Sequence, residues 1–226
     1  MRDPELQGVD PVAAQDWRRF EPLKLPPVLR HALEAFAAHG YHGTSVRDIA
    51  NRMGQTVPAI YYYYQNKQAI LVALLHTAIV EDIDRCRRAV EEATGDVVAQ
   101  LSNYVYCLTL CVTYRTELAL LDYERRALEP ENREQYTDLR DELQQILGDV
   151  VEQGTDQGRF DVLDTAAAVR ALIAMCVGIT AWYRPGGPLT PQQVGERYVD
   201  LALGMLRSTD RAADVLTAVP CSGERS

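Results

Sequence analysis

Long apolar runs, paired cysteines and clustered histidines are missing from this 226-residue sequence, and each absence argues against a class of protein. No apolar run approaches the ~20 residues needed to cross a membrane, so we expect no membrane partner. The first 15 residues contain acids and prolines where a signal peptide has its apolar segment. We therefore expect a cytoplasmic protein.

Motifs for metal or redox chemistry are equally scarce. The five cysteines form no C-x-x-C pair, and their odd number does not suggest a disulfide framework. Cys107 and Cys111 lie four residues apart, and we interpret them as core or pocket lining because free cysteine is commonly buried. No H-E-x-x-H motif occurs, and His76 is the only histidine beyond residue 67. The sequence therefore predicts neither a metal site nor a cofactor.

Charge is unevenly distributed along the chain. The net charge is −9, yet residues 1–67 hold eight basic and seven acidic residues (+1), whereas residues 68–226 hold 15 and 25 (−10). Within residues 24–67 the balance is five to two (+3). A small positive module attached to an acidic body is compatible with DNA binding, because affinity depends on the local face.

Helical periodicity runs through most of the chain, and little in it is typical of a strand. The sequence therefore predicts an all-α fold with four parts. These are a flexible N-terminal arm (1–23) anchored by Trp17 and Phe20, a three-helix helix-turn-helix domain (24–67), a helical body (68–207) entered by a long helix, and a flexible tail (208–226). The predicted helices are 27–39, 46–53, 57–64, one from 67 onward, 96–114, 116–128, 130–153, 164–183 and 190–207.

Start and stop signals delimit the first helices. Gly40 is placed to end the first helix in a left-handed conformation, and Gly54 to end the second. Ser45 and Asp48 have the spacing of a capping box, and Asn66 can cap the long fourth helix. A short helix, a tight turn at Gly54 and a second short helix form a helix-turn-helix, whose second helix enters the major groove of DNA.

This module resembles the N-terminal domain of the TetR family of bacterial repressors over about forty residues in the expected order. The resemblance implies a dimeric, ligand-responsive repressor. The matching residues are Ala32-Leu33-Glu34-Ala35-Phe36, Gly40-Tyr41, Thr44-Ser45-Val46-Arg47-Asp48-Ile49-Ala50, Gly54, Ile60-Tyr61-Tyr62 and Lys67.

The resemblance also assigns DNA contacts. It places base-reading contacts at Thr56, Val57 and Ala59, where a threonine hydroxyl can bond base edges and apolar groups can touch a thymine methyl. It places phosphate contacts at Ser45, at a helix N-terminus, and at Lys67.

Three tyrosines, Tyr61, Tyr62 and Tyr63, fall where the family contacts mainly the sugar–phosphate backbone. Arg47 points away from the inward face and either contacts phosphate or is simply solvated. The family's common basic residue and glycine early in the recognition helix are replaced by Val57-Pro58. We therefore expect recognition by apolar and hydroxyl contacts, with a shallow dependence on salt.

The body is predicted to hold a small-molecule effector in an apolar pocket with a few polar groups. An ordinary core is the alternative for the same side chains. Arg115, Arg125 and Arg126 are candidates for an anionic headgroup, such as the phosphates of an acyl-CoA, although surface ion pairs explain them equally well. The predicted lining is Tyr104, Cys107, Leu108, Cys111, Tyr114, Leu118, Leu121, Met175 and Ile179.

Dimerisation is predicted through the helices near 164–183 and 190–207. The first carries small residues that permit close helix approach: Ala167, Ala171, Ala174 and Gly178. Two such helices from each subunit would form a four-helix interface with twofold symmetry, which implies a palindromic double-stranded DNA operator.

Two other functions remain open from the sequence. One is an all-α enzyme with an acidic site that includes Asp122, Glu124 and Glu129. The other is a helical adaptor that binds only proteins. We expect a regulator and not an enzyme, because no catalytic signature accompanies the three acids.

Overall fold

The computed structural model describes residues 16–207, and within that range it contains helices and no strand. The predicted all-α fold, with a helix-turn-helix module joined by a long helix to a helical body, is confirmed. The helices are α1 (Pro27–His39), α2 (Val46–Met53), α3 (Val57–Tyr61), α4 (Lys67–Glu92), α5 (Val97–Tyr114), α6 (Thr116–Leu121), α7 (Pro130–Asp156), α8 (Thr165–Val177) and α9 (Pro191–Arg207), with 3-10 turns at Asp122–Ala127 and Gly178–Ala181.

Local capping explains where the first helices begin and end. The Ser45 hydroxyl accepts a bond from the Asp48 amide (3.2 Å), and the Asp48 carboxylate accepts one from the Ser45 amide (2.8 Å). Gly54 ends α2 in the left-handed conformation, and Asn66 accepts a bond from the Ala69 amide. Gly40 differs from the prediction, because its φ of 72° is combined with a ψ of 163°, which is extended and not left-handed helical.

Three helices end earlier than periodicity predicts. The recognition helix α3 stops at Tyr61, where tighter backbone bonds such as Tyr63 amide to Ile60 carbonyl (3.0 Å) replace the α pattern. Helix α6 passes into a 3-10 turn at Asp122, and α8 does so at Gly178. A change from α-helical to 3-10 backbone bonding at a helix end leaves no periodic signal in the sequence.

Helix α5 lies at the centre of the body and packs against α4, α7, α8 and α9. By length and composition alone it is apolar enough to cross a membrane, which the sequence-based expectation overlooked. Two-thirds of it is buried inside the protein, as expected of a core helix. Helices α1–α3, with the start of α4, form a smaller unit, here called the head (residues 27–67); residues 68–207 are the body.

The segment before α1, residues 16–25, packs against the body and is here called the strap. Trp17 is 3% exposed, and the ring of Phe20 stacks on that of Tyr114 at 4.7 Å. Arg85 of α4 donates to the carbonyls of Trp17 (2.9 Å) and Arg19 (3.0 Å). This part of the predicted flexible arm is therefore fixed. Residues 1–15 of the arm and the predicted tail 208–226 lie outside the described residues.

Candidate DNA-binding surface and effector cavity

Three consecutive tyrosines project from the end of the recognition helix. Tyr61, Tyr62 and Tyr63 are 49%, 84% and 70% exposed, and the rings of Tyr62 and Tyr63 meet edge to face at 5.0 Å. A cluster of exposed aromatic rings marks an interaction surface, because it is costly to leave in water. Each ring also carries a hydroxyl that can bond a phosphate oxygen.

The first turn of α3 presents the residues predicted to read bases. Thr56 is exposed and its hydroxyl makes no capping bond, so it is free to bind elsewhere. Val57 and Ala59 are partly exposed. Ile60 is buried at 1%, and Tyr64 is partly buried against the core. The exposed and buried residues of α3 therefore separate into an outer and an inner face.

The predicted phosphate contacts are not equally available. The Ser45 hydroxyl donates to the Asp48 carboxylate at 2.6 Å, so it is occupied by the cap. These bonds from Ser45 lower the pKa of Asp48, which keeps a negative charge at the N-terminus of α2. Arg47 is exposed and has no ion-pair partner within residues 16–207, so its guanidinium is free to meet a phosphate.

Lys67 holds the head together from inside. Its ammonium donates to the carbonyls of Tyr41 (2.7 Å) and Thr44 (2.8 Å) and lies 4.2 Å from the centre of the Tyr41 ring. Two of its three N–H groups are thus used within the protein, and one is left for a phosphate. The sequence resemblance assigned only the phosphate contact and gave no signal of the internal bonds.

A cavity of about 60 Å³ lies between α4, α5, α6, α7 and α8. Of the nine residues predicted to form an effector pocket, Leu108 and Leu118 line it. The complete lining is Ala78, Ile79, Asp82, Leu108, Val112, Leu118, Ala119, Asp122, Tyr136, Arg140, Leu143, Gln144, Ile173 and Val177.

The other seven predicted pocket residues lie elsewhere. Tyr104 is fully buried and donates its hydroxyl to the Leu143 carbonyl, and Tyr114 stacks on Phe20. Ile179 belongs to a separate cluster with Val112, Tyr183 and Val194. Four pack into or against the main core: Cys107, Cys111, Leu121 and Met175. For six of these residues the ordinary-core alternative describes the structure better, whereas Tyr114 is 40% exposed and lines a second, open space beside the strap.

Sequence reasoning missed the polar wall of the cavity. Asp122 accepts bonds from the Tyr136 hydroxyl (3.0 Å), Arg140 (2.5 Å) and Arg125 (2.8 Å). Tyr136 and Arg140 are four residues apart on α7 and so share a face. That spacing was the only available signal, and it did not reveal that the face meets Asp122.

Asp82 is the second carboxyl group of the cavity. Burial raises its pKa to about 7, and the thiol of Cys111 forms a hydrogen bond with it. In contrast to Asp122, it pairs with no arginine within the described residues. Asp82 is therefore an acid that changes charge near neutral pH inside a mainly apolar cavity.

The arginines proposed for an anionic headgroup are mostly occupied. Arg115 pairs with Glu81 (3.2 Å) and donates to the Glu21 carbonyl, and Arg125 pairs with Asp122. Only Arg126 is exposed without such a pair among the residues described. The structure thus favours the ion-pair alternative for Arg115 and Arg125.

The acids of the hypothetical enzyme site do not form one group. Asp122 is bound by two arginines, whereas the Glu124 carboxylate accepts a bond from the Tyr41 amide (3.3 Å) in the head. The backbone amide of Glu129 donates to Gln68. Across residues 16–207, no three His, Cys, Asp or Glu side chains are placed to hold a metal ion.

The last two helices leave apolar surface uncovered. Ala167, Ala171 and Ala174 are exposed along α8, and Leu201 and Met205 are 54% and 46% exposed one turn apart on α9. Between the helices, Trp182 is 46% exposed and stacks on Tyr198. Gly178, the fourth predicted small residue, is partly buried.

Comparison with known families identifies both parts of the chain. The family profile described as "Bacterial regulatory proteins, tetR family" matches residues 28–74. The profile described as "Tetracyclin repressor-like, C-terminal domain" matches residues 94–206, which is half of the chain.

Curated relatives and solved structures give the same result. The HTH-type transcriptional repressor KstR2 of Mycobacterium tuberculosis (strain H37Rv) is 29% identical over 199 residues, covering 87% of this chain and 96% of the relative. The TetR family regulator PfmR of Thermus thermophilus has a TM-score of 0.74 at 28% identity, over 81% of this chain and 99% of that structure. AibR in complex with isovaleryl coenzyme A and operator DNA has a TM-score of 0.66 at 25% identity, over 79% and 95%.

Proposed function

The chain belongs to the TetR family of bacterial regulatory proteins, and on that premise we propose how it works as a ligand-responsive transcriptional repressor. In this proposal it binds a palindromic operator as a homodimer and is released by a small molecule. The observation that carries the proposal is the exposed tyrosine cluster on a capped helix-turn-helix, in a chain that matches the family at both ends.

DNA recognition is assigned to the outer face of α3. Thr56, Val57 and Ala59 would meet base edges, while Tyr61, Tyr62 and Tyr63 would bond the sugar–phosphate backbone. Arg47 and the remaining N–H of Lys67 would supply the few cationic contacts. Because so few phosphates are neutralised, binding should depend only weakly on salt.

Homodimerisation is assigned to the exposed apolar faces of α8 and α9. A twofold axis would bring the alanines of α8 and the Leu201–Met205 pair of α9 against their copies, forming a four-helix interface. The two heads would then be held at a fixed separation, which sets the spacing of the operator half-sites.

Release of DNA requires that the body and the head be coupled. Glu124 accepts a bond from the Tyr41 amide, α6 packs against α1, and α4 runs from the head into the body. A change around the cavity would reach the head through these connections. An effector would shift the balance only if it prefers the conformer whose heads are wrongly spaced. The structure of AibR, a protein of similar fold, is a complex with isovaleryl coenzyme A and operator DNA, so a protein of this fold binds both kinds of partner.

Selection of double-stranded DNA from a random pool, repeated at several salt concentrations, tests the proposal. We expect enrichment of a palindrome and a shallow log–log dependence of affinity on salt. Recovery of no enriched palindrome would contradict a repressor and favour the adaptor. As a regulator of transcription in a bacterial family, the protein is proposed to act in the cytoplasm.

A further inference from the structure

The effector cavity contains one acid whose bonding capacity is not used by the protein. Asp82 lies among Ala78, Ile79 and other apolar side chains and is bonded only by the weak donor of Cys111 among the residues described. Asp122, on the opposite wall, already accepts three strong bonds. A ligand that enters this cavity therefore finds at Asp82 a carboxyl group with free hydrogen-bonding capacity.

The cavity is too small to hold a whole effector. Its volume of about 60 Å³ is well below the ~150 Å³ of a cavity that accepts benzene. A second, open space of about 530 Å³ lies next to it, between the strap, α1, the α5–α6 junction and the loop at residues 183–191. We call this space the junction groove. Leu118 lines both the cavity and the groove, so its side chain borders both spaces.

We propose that the effector is an elongated, uncharged molecule whose hydroxyl tip bonds Asp82 and whose apolar remainder passes Leu118 into the junction groove. This inference rests on the proposed function, because it identifies the chemistry of that same effector site. The groove borders both the strap and α1, so an occupant would press directly on the connection between body and head.

The charges around Asp82 explain why the tip is uncharged. Glu81 is neutralised by Arg85 (2.9 Å) and Arg115 (3.2 Å) on the side of the strap. On the side of α7, Arg140 and Arg125 share the single charge of Asp122, and Tyr136 also bonds that carboxylate. The Glu81–Arg85–Arg115 group therefore has one excess positive charge, which lies beside the strap and outside the cavity.

Within the cavity, either sign of charge on the ligand meets a like charge. An anionic tip approaches the Asp82 carboxylate, and a cationic tip approaches the excess positive charge of the arginine pair on Asp122. Each ion would also lose its hydration in an apolar space, and the neighbouring like charge would offset part of the attraction of its counterion. A hydroxyl avoids both costs and can donate to or accept from the Asp82 carboxyl group.

Binding should take up a proton. A ligand that fills the cavity removes water from Asp82 and so favours its neutral form. The Asp82 pKa is about 7 in the free protein, so the fraction of molecules with a protonated Asp82 falls as the pH rises. Because the ligand prefers these molecules, its affinity should fall about tenfold from pH 6 to pH 8.

Three eight-carbon probes with one alkyl chain and different tips test the chemistry: 1-octanol, octanoate and octylamine. Calorimetric titration of the full chain should show 1-octanol binding about tenfold more weakly at pH 8 than at pH 6. At pH 8, where Asp82 is ionised, 1-octanol should still bind more tightly than octanoate or octylamine. The matched variants are Asp82→Asn and Asp84→Asn, since Asp84 lies on the same helix but is exposed. Only Asp82→Asn should abolish the tenfold pH effect. Tighter binding of octanoate or octylamine at pH 8, or no binding of any probe, would overturn the proposal.

The proposed position of Leu118 between the cavity and the junction groove is tested with a longer alcohol. Leu118→Ala should join the cavity to the groove and increase the affinity for 1-dodecanol relative to 1-octanol at least severalfold. Leu121→Ala is the control, because Leu121 is equally buried on α6 but lines neither space. Equal effects of the two substitutions would contradict the shared wall. Operator binding is measured on the same samples. If it is intact while the ligand predictions fail, this inference is wrong and the proposed function is not.

Discussion

The ammonium of Lys67 bonds the carbonyl of Tyr41 at 2.7 Å and lies over the ring of the same residue. Through this contact the first residue of α4 fixes the turn between α1 and α2. The lysine that the family resemblance assigns to phosphate is thus also a structural residue of the head. Its two roles can be separated by experiment.

Lys67→Met keeps the apolar stem but removes the charge and the donors. We expect a loss of about 2 kcal/mol in the free energy of unfolding, because the carbonyls of Tyr41 and the buried Thr44 lose a charged donor. Urea denaturation measures this loss. Arg87→Met is the control, since it breaks an exposed pair with Glu142 and should cost less than about 1 kcal/mol. An equal effect of both variants would contradict the structural role.

Tyr62 is the most exposed tyrosine of the head, so its removal should weaken operator binding without affecting folding. We expect Tyr62→Ala to lower affinity about tenfold per half-site, as for loss of a hydrogen bond to a charged phosphate. The slope of log affinity against log salt should not change, because no cation is removed. Tyr123→Ala, at a 54% exposed position of the body, provides the control in the same fluorescence-anisotropy titration. A matching loss in both variants would exclude a specific contact by Tyr62.

The features that could be predicted from the sequence are those decided within a few residues of the chain. The Ser45–Asp48 capping box, the left-handed Gly54 and the Asn66 cap each depend on groups at most four positions apart. Helical periodicity likewise shows which residues of a helix are buried. For this reason the bounds of α1 and α2 and most other helix boundaries were predicted correctly.

Only two of the nine residues predicted for an effector pocket line the cavity, because burial alone does not identify which buried face borders a void. Cys107 and Leu108 are both buried on α5, yet only Leu108 faces the cavity. The polar wall depends on Arg140 of α7 meeting Asp122, 18 positions away. Such a pairing follows from how three helices pack, and no local pattern encodes it.

Asp82 should make the stability of the protein decrease as the pH rises. Its pKa is raised from an ordinary value of 3.8 to about 7, so between these values the folded state binds more protons than the unfolded state. The free energy of unfolding therefore falls through this range, by up to about 1.4 kcal/mol per pH unit, and levels off above pH 7.

Asp82→Asn should remove this pH dependence and be more stable than the original chain at pH 8. Urea denaturation between pH 5 and pH 8 measures the effect, and Asp84→Asn serves as the control. The pKa values of Asp48 and Glu92 are lowered in the folded protein, so their protonation reduces the stability of the protein only at acidic pH. This separates their effect from that of Asp82. Parallel curves for Asp82→Asn and the original chain would contradict the assignment.

The strap is expected to contribute to stability through burial and much less through its surface ion pair. Trp17→Ala removes a ring that is 3% exposed and should cost about 3–5 kcal/mol. Arg18→Ala breaks the exposed pair with Glu92 in the same segment and should cost less than about 1 kcal/mol. Thermal unfolding compares the two variants directly. A similar decrease in Tm for both variants would show that burial of Trp17 is not the main contribution of the strap to stability.

The apolar pair on α9 provides the last prediction. Leu201→Asp places a charge in the middle of the proposed interface, where its twofold copy would face it, so we expect a monomer in sedimentation velocity at micromolar concentration. Val80→Asp introduces the same charge at a 40% exposed position of α4 and should leave the dimer intact. Loss of the dimer should also weaken binding to the palindrome far more than to an isolated half-site, because the two heads no longer bind as one unit. A Leu201→Asp protein that sediments as a dimer would place the interface elsewhere on the body.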